Sequence, residues 1–230
     1  MEWFEELDFD ENPLFIETKY HGNEELLNEV LYSIESGNIL VIEGEDGAGK
    51  TKILKEAIKK FGGKGDVAFI DCKELDKELN VEKVIINKNG LMGWLFKKYP
   101  KNMILLLDNV EFLSSRNMER IKYFYDSNHL KAVIITTKDS SKLKLNGSIE
   151  QRIRKVAKIK PLTEFEAVQV LRDKLGQTIL SDRVIKEIYK HSNKNVKTFF
   201  GNAEKVCRVY IENRNLNEED ARKLLERGGK

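Results

Sequence analysis

The sequence has few of the residues that build disulfide frameworks and zinc sites. Among its 230 residues there are two cysteines, Cys72 and Cys207. They are too few and too far apart to cross-link a small fold or to complete a zinc site, so we expect two reduced thiols. No apolar run approaches the roughly 18 residues that a membrane-spanning helix needs. These absences exclude a disulfide scaffold and a protein built from membrane-spanning helices.

Basic residues are missing from the start of the chain. Residues 1–11 carry six acidic side chains and no basic one, whereas a secretory signal peptide begins with basic residues. The sequence therefore predicts a cytoplasmic protein. Hydrophobic residues make up 40% of the chain and charged residues 34%, which is typical of a soluble globular protein.

Short apolar segments alternate with helical patterns over the first two thirds of the chain. This alternation predicts a parallel sheet with helices on both faces. Helices are expected at Glu24 to Ser36, Lys50 to Lys60, near Leu91 to Tyr99, and at Arg116 to Ser127. The expected strands are Ile39 to Glu43, Val67 to Asp71, Met103 to Asp108, Ala132 to Thr137 and Val156 to Ile159.

The pattern changes at Pro161, after which no strand is predicted. Thr163 and Glu166 have the spacing of a capping box, which opens a helix ending near Leu175. Further helices are predicted from Ser181 or Asp182 to His191, and over roughly Val196 to Glu212 and Asn217 to Glu226. We therefore divide the chain into an α/β core, residues 1–160, and a small all-α domain, residues 161–230.

The first predicted strand is followed directly by a phosphate-binding motif. The segment is GEDGAGKT, which matches G-x-x-x-x-G-K-[ST] at every fixed position and lies between a strand and a helix, as this motif requires. Backbone N–H groups there can surround the phosphates of ATP, Lys50 can reach the β and γ oxygens, and Thr51 can bind Mg²⁺. The predicted nucleotide-binding residues are Gly44, Glu45, Asp46, Gly47, Ala48, Gly49, Lys50, Thr51 and Lys52.

A second acidic motif, ILLLDNVEFL, carries Asp108 at the end of a buried strand, 57 residues after Thr51. In proteins with this loop, such an aspartate holds Mg²⁺ through water, and we expect its strand to lie beside the strand that precedes the loop. The extra strand predicted between the two motifs indicates the additional-strand branch of P-loop ATPases, which includes the AAA+ proteins. Thr136 and Thr137 end the next strand, where a hydroxyl could orient the attacking water.

The residue after Asp108 is Asn109, where most hydrolysing relatives have glutamate. An amide cannot take a proton from water, although it can position the water. Glu111 is the obvious substitute, but in an extended chain it lies about 6 to 7 Å from Asn109. It could take part only if the chain turns sharply after the strand.

Beyond these motifs, most of the chain resembles a known family. The opening segment, FEELDFDENPLF through YHGNEELLNEVLYSIESGNILVIEGEDGAGKT, is similar to the start of ExeA-like AAA+ ATPases. The segment QRIRKVAKIKPLTEFEAVQVLRDKL is similar to the passage from the last strand to the lid in that group. Archaeal and eukaryotic origin-recognition initiators have the same order of parts. The resemblance implies a five-stranded AAA+ sheet followed by a helical lid.

The resemblance also implies three further site residues. Arg152 or Arg154 falls where many AAA+ proteins place an arginine that reaches the γ-phosphate of a neighbouring subunit. Lys197 is the nearest match to an arginine of the lid, but a lysine lacks the bidentate fork of arginine. Self-association or a protein partner is therefore expected.

Two functions from different classes remain open. The first is a weak, slow-hydrolysing ATPase that works as a switch on DNA or a DNA-bound complex, with nonspecific DNA contacts along Lys138 to Lys160, where eight basic residues face two acidic ones. The second is a nucleotide-gated assembly ATPase with no nucleic acid, for which the acidic, aromatic start with Trp3, Phe4 and Phe9 would offer a docking segment.

Overall fold

The computed structural model describes residues 2–61, 67–74, 80–88, 101–143 and 147–227. The helix predicted near Leu91 to Tyr99 lies outside these ranges. The chain forms two compact units. The first is Glu24–Ile159, called the sheet unit below. The second combines Met1–Asn23 with Lys160–Lys230 and is called the helical unit.

The sheet unit contains a five-stranded sheet in the order β2-β3-β4-β1-β5. Every pair of neighbouring strands is parallel. In the central strands, the side chains on both faces of the sheet are buried. This explains why these strands are continuous apolar segments. The strands are β1 (Ile39–Glu43), β2 (Val67–Asp71), β3 (Met103–Asp108), β4 (Leu130–Thr137) and β5 (Ile153–Lys158).

Helices cover both faces of this sheet, which confirms the predicted α/β class. Two of them, α1 (Glu24–Glu35) and α2 (Lys50–Phe61), pack on one face. The opposite face forms a core with three others. These are α3 (Val81–Lys88), α4 (Ser115–Asp126) and the single turn α5 (Gly147–Glu150).

The strand order corrects one expectation. We expected the strand of Asp108 to lie beside the strand that precedes the phosphate loop, but β4 lies between β3 and β1. The additional strand is therefore β4, whereas β2 is at the edge. Thr136 and Thr137 pair in register with Ile42 and Glu43, so the end of β4 lies between the phosphate loop and Asp108.

Strand β5 begins earlier than predicted. It is an edge strand in which four side chains are exposed, so its first residues do not form the apolar run that marks the central strands. Its run of basic residues conceals the strand in a search for apolar segments. Only Ala157 is buried among the residues of this strand. Lysines on an edge strand also discourage pairing with another sheet.

The helical unit confirms the predicted helices after Pro161. The capping box is formed, since Thr163 Oγ1 accepts from the Glu166 N–H and the Glu166 carboxylate accepts from the Thr163 N–H. Ser181 and Asn195 cap the next two helices through their side chains. The helices are α6 (Glu164–Leu175), α7 (Asp182–Lys190), α8 (Val196–Glu212) and α9 (Glu218–Arg227).

The start of the chain packs differently from the predicted division at residue 160. Trp3, Leu7 and Leu14 belong to the hydrophobic core of the helical unit, and Trp3 is only 3% exposed. His21 Nε2 lies 2.7 Å from Asp173 Oδ2 in α6. Apolar burial therefore joins residues 1–23 to the helical unit rather than to the sheet. The aromatic start folds onto its own chain and is not a free docking segment.

Candidate nucleotide-binding site

The phosphate loop connects β1 to α2 at the carboxyl edge of the sheet. Gly47 and Gly49 adopt positive φ angles of 76° and 99°, which favour glycine. At Gly44 an added Cβ would come within 2.1 Å of the Ile159 side chain. The glycines of the motif are thus required by the path of the backbone. This path directs the loop and the start of α2 toward one cradle.

Lys50, the first residue of α2, is only 5% exposed. Its Nζ donates to the carbonyl oxygens of Gly44 at 2.6 Å and Glu45 at 3.1 Å. Burial lowers the pKa of this amine, and the nearby carboxylates of Asp46, Glu111 and Asp108 oppose that shift. A buried cation that rests on carbonyls of its own loop fits a role in binding an anionic phosphate there.

Asp108 is completely buried and links three elements. One carboxylate oxygen, Oδ2, accepts from the hydroxyl of Thr51 in α2, and the other, Oδ1, accepts from the hydroxyl of Thr136 in β4. Carboxylate and hydroxyl oxygens are the ligands that Mg²⁺ prefers. The predicted pair of Thr51 and Asp108 is therefore brought together with the chemistry that a magnesium site needs.

Thr136 and Thr137 have different partners, although both are buried. Besides contacting Asp108, the Thr136 hydroxyl accepts from the Asn109 N–H at 3.1 Å. The Thr137 hydroxyl lies 3.4 Å from the Asp139 carbonyl oxygen, and the Thr137 carbonyl accepts from the Gly44 N–H at 3.1 Å. Of the two threonines, Thr136 contacts the candidate metal-binding carboxylate, and Thr137 fixes the start of the phosphate loop.

Asn109 turns the chain sharply after β3. Its φ and ψ angles are 57° and 51°, in the left-handed region that asparagine tolerates better than most residues. The side-chain Nδ2 donates to Asp71 Oδ1, 2.9 Å away at the end of β2. Because β2 lies on the side of β3 away from the phosphate loop, this contact differs from the water-positioning role that the sequence suggested. Asp71 was not predicted as a site residue, although it ends the neighbouring strand β2 in register with Asp108.

Glu111 follows the turn within a short 3-10 helix, Val110–Phe112. The chain therefore makes the bend that Glu111 needs to approach the site. Glu111 is exposed; its charge opposes the burial that lowers the pKa of Lys50, and it adds to the contact with Glu45 that raises the pKa of Lys138. Glu111 is thus one of several carboxylates, with Asp46 and Asp108, whose charge acts on Lys50.

The two predicted arginines lie at the opposite edge of the sheet. Ile39 and Ile153, which begin β1 and β5, pair in register, so Arg152 and Arg154 are near the strand starts whereas the phosphate loop follows a strand end. Five residues of strand separate the two edges by roughly 16 Å. Neither arginine belongs to the cradle of its own chain.

Both arginines have partners within the sheet unit. Arg152 Nε donates to Asp126 at 2.8 Å. Arg154 donates to Glu29 at 2.6 Å and lies 4.7 Å from the centre of the Tyr32 ring.

Other basic residues of Lys138 to Lys160 are also paired. Lys142, Lys155 and Lys158 contact Asp139, Glu29 and Glu43, respectively. The basic stretch is therefore a largely ion-paired surface rather than an uncompensated positive patch, and Lys144 lies outside the described residues.

Lys197 is exposed in the first turn of α8 in the helical unit. Its predicted contact with nucleotide concerns the other unit and stays a prediction. Among the helices of the described residues, none combines the length and the apolar character needed to cross a membrane.

The geometry defines the class of protein. The phosphate loop lies between β1 and α2, and one further strand separates β1 from the strand that ends in Asp108. This is the arrangement of P-loop proteins with an additional central strand. A family model described as an AAA domain matches residues 36–169, which is more than half of the chain. The protein therefore belongs to the AAA domain family.

Among curated proteins, the chain is 28% identical over 175 residues to the chromosomal replication initiator protein DnaA of Sulfurimonas denitrificans. This similarity covers 71% of the present chain but 39% of the relative, so the chain spans well under half of that protein.

Solved structures with the same fold include three proteins with DNA-related descriptions. Domain III of the replication initiation protein DnaA of Thermotoga maritima is 20% identical with a TM-score of 0.64, over 92% of this chain and 94% of that one. The RuvB Holliday junction branch migration motor of Thermotoga maritima is 15% identical with a TM-score of 0.65, over 93% and 72%. The Orc1 protein of Aeropyrum pernix, solved in complex with DNA, is 11% identical with a TM-score of 0.68, over 94% and 68%. At these identities the likeness establishes the fold.

Proposed function

We propose that this protein is a Mg-ATP-binding AAA+ switch that hydrolyses ATP slowly and acts on DNA or on a DNA-bound complex. One observation carries the proposal. Asp108 joins Thr51 and Thr136 beside the buried Lys50, while the next residue, Asn109, is turned toward β2. The residues proposed to bind nucleotide therefore lie together, but the position next to Asp108 supplies no carboxylate for activating water.

Different groups of the cradle would bind different parts of Mg-ATP. Backbone N–H groups of the loop and of the start of α2 bind the phosphates, where the positive end of the helix favours an anion. Lys50 binds the β and γ oxygens. Thr51 and Asp108 would hold Mg²⁺, which neutralises charge on the phosphates during transfer.

We propose DNA as the partner because of the likeness to replication initiators and because several exposed lysines follow β4 and line β5. Their ion pairs are exposed and contribute little to stability, so DNA phosphates could displace the carboxylates. The alternative, an assembly ATPase without nucleic acid, has lost one support, since Trp3 of the aromatic start is buried in the helical unit.

Binding of fluorescent duplex and single-stranded DNA to the ATP-bound protein across a salt series tests this role. We expect a steep loss of affinity with salt, and each of Lys142→Ala and Lys155→Ala should reduce the logarithmic slope by about one on duplex. Lys205→Ala, an exposed lysine of α8 in the helical unit, is the matched control. No salt-dependent affinity for either form of DNA would leave the assembly ATPase as the better proposal.

Self-association in Mg-ATP is the second expected property. Arg152 and Arg154 lie far from the cradle of their own chain, so either could act only on the ATP of a neighbour. An arginine supplied in this way contributes about 10³ to 10⁵ in rate in related phosphoryl-transfer proteins. Sedimentation velocity should show larger species with Mg-ATP than with Mg-ADP, and alanine at the active arginine should remove the difference.

Arg208→Ala is the control for this experiment, because Arg208 is a similarly exposed arginine that pairs with Glu204 within α8. A protein that stays monomeric in Mg-ATP at high concentration would contradict the proposed assembly. Unaltered assembly and turnover in both Arg152→Ala and Arg154→Ala would exclude these arginines from it.

A further inference from the structure

The outer face of α4 carries a stripe of two arginines and one tyrosine. Arg116, Arg120 and Tyr123 lie within about 60° of one another around the helix, since a helix has 3.6 residues per turn. Tyr123 is 63% exposed, Arg116 is exposed and Arg120 is partly exposed. The proposed nucleotide-binding site uses none of these three residues, which are called the α4 stripe below.

The arginines of the α4 stripe have no acidic partner in the part of the chain that the structure describes. By contrast, Lys122 and Arg152 both form ion pairs with Asp126 of the same helix. Arginine and tyrosine are among the residues that contribute most to binding between proteins. The α4 stripe therefore has the character of an interaction surface.

The start of the chain presents a surface of the opposite charge. Trp3 and Leu7 are buried in the core of the helical unit, while all six acidic side chains of residues 1–11 are exposed. Within the described ranges these six form no ion pair. They are Glu2, Glu5, Glu6, Asp8, Asp10 and Glu11, called the acidic start below.

We propose that the α4 stripe of one copy of this chain binds the acidic start of a second copy in the presence of Mg-ATP. The inference rests on the self-association under the proposed function and names the surfaces that form it. Complementary charge of this kind selects the partner and fixes its orientation. Because the two surfaces differ, each copy uses its α4 stripe toward one neighbour and its acidic start toward the other, which builds a ring or a filament.

The position of the α4 stripe agrees with the proposed assembly. Asp126, three residues after Tyr123, accepts from Arg152 Nε at 2.8 Å. Arg152 is one of the two arginines proposed to act on the ATP of a neighbour. The α4 stripe therefore adjoins a surface that this neighbour must contact.

The test exchanges the charges of the two surfaces and measures self-association by sedimentation velocity in Mg-ATP. Arg116→Glu with Arg120→Glu places acids opposite acids and should weaken self-association by about a hundredfold. Glu6→Arg with Glu11→Arg places bases opposite bases and should weaken it as much. An equimolar mixture of the two variant proteins should assemble again, because the reversed stripe of one then meets the reversed start of the other.

The matched control is Arg183→Glu with Lys186→Glu, which reverses two exposed basic residues of α7 in the helical unit. It changes the net charge as much as the reversed stripe does and should leave self-association unchanged. Tyr123→Ala, which removes no charge, should weaken self-association about tenfold. Phe165→Ala, at a 70% exposed aromatic residue of α6, should not.

Two results would overturn this inference and leave the proposed function standing. The first is a wild-type protein that assembles in Mg-ATP while the reversed variants assemble equally well, or whose reversed variants fail to assemble when mixed. The second is a loss of binding to single-stranded DNA in the stripe variants with unchanged self-association, since the α4 stripe would then bind nucleic acid. A wild-type protein that stays monomeric in Mg-ATP would contradict the inference together with the proposed assembly.

Discussion

Replacing Lys50 by alanine is expected to weaken ATP binding by about a hundredfold or more while the fold stays intact. Removing one partner of a buried charge pair costs about 2 to 5 kcal/mol, and about 1.4 kcal/mol is a factor of ten in affinity. In the structure Lys50 contacts two carbonyls of its own loop. Because alanine also favours a helix, the melting temperature should change little.

The control for this substitution is Lys59→Ala, in the last turn of the same helix. Lys59 is exposed and pairs with Glu56 at 2.9 Å, so nucleotide affinity should not change. Calorimetric titration with ATP and ADP measures both variants, and circular dichroism verifies their folds. Unchanged affinity in Lys50→Ala would show that the loop does not bind phosphates in the proposed way.

The sequence predicted the parts of the fold whose signals are local. The phosphate loop is a contiguous motif between a strand and a helix, and both elements begin and end within a residue of the expected positions. Central strands are continuous apolar runs because both of their faces are buried. The capping box of Thr163 and Glu166 has a fixed spacing along the chain, and it is formed.

Features that depend on distant residues could not be read from the sequence. Nothing in β3 or β1 indicates that β4 lies between them, since strand order is set by packing across the whole sheet. Likewise, the partner of Arg154 is Glu29, 125 residues away, so an apparent positive stretch proved to be paired. Trp3 gave no local sign that it would be buried among helices that follow Pro161.

The role of Asn109 is a further case in which the backbone decides. Sequence alone compares this residue with a glutamate of relatives, but its left-handed conformation and its bond to Asp71 give a structural reason for asparagine. A glutamate there would carry a conformational cost of roughly 1 kcal/mol. Its carboxylate would also meet that of Asp71. We therefore expect Asn109→Glu to be less stable and not faster in hydrolysis.

Glu111→Gln is expected to lower steady-state ATP turnover strongly while leaving ATP affinity unchanged. General-base help contributes about 10² to 10⁴ in rate, and the exposed Glu111, two residues beyond the usual position, should supply only part of it. Against a median near 10 per second for enzymes, wild-type turnover should lie about 10- to 100-fold lower.

The ATP turnover of the Glu111→Gln variant should be about 10- to 100-fold lower than that of the wild type. The reason is that an amide cannot accept the proton that the Glu111 carboxylate takes. Phosphate release, measured with and without DNA, compares wild type, Glu111→Gln and Asn109→Glu, with Glu119→Gln in α4 as the control. Fast wild-type turnover that is insensitive to Glu111→Gln would contradict the slow switch.

Acceleration by Asn109→Glu would show that a side chain at position 109 can reach the attacking water despite the turn. It would also show that Asp71 does not keep that side chain away from the water. If turnover instead falls only in Glu111→Gln, the bend at Asn109 is what brings the working carboxylate to the ATP.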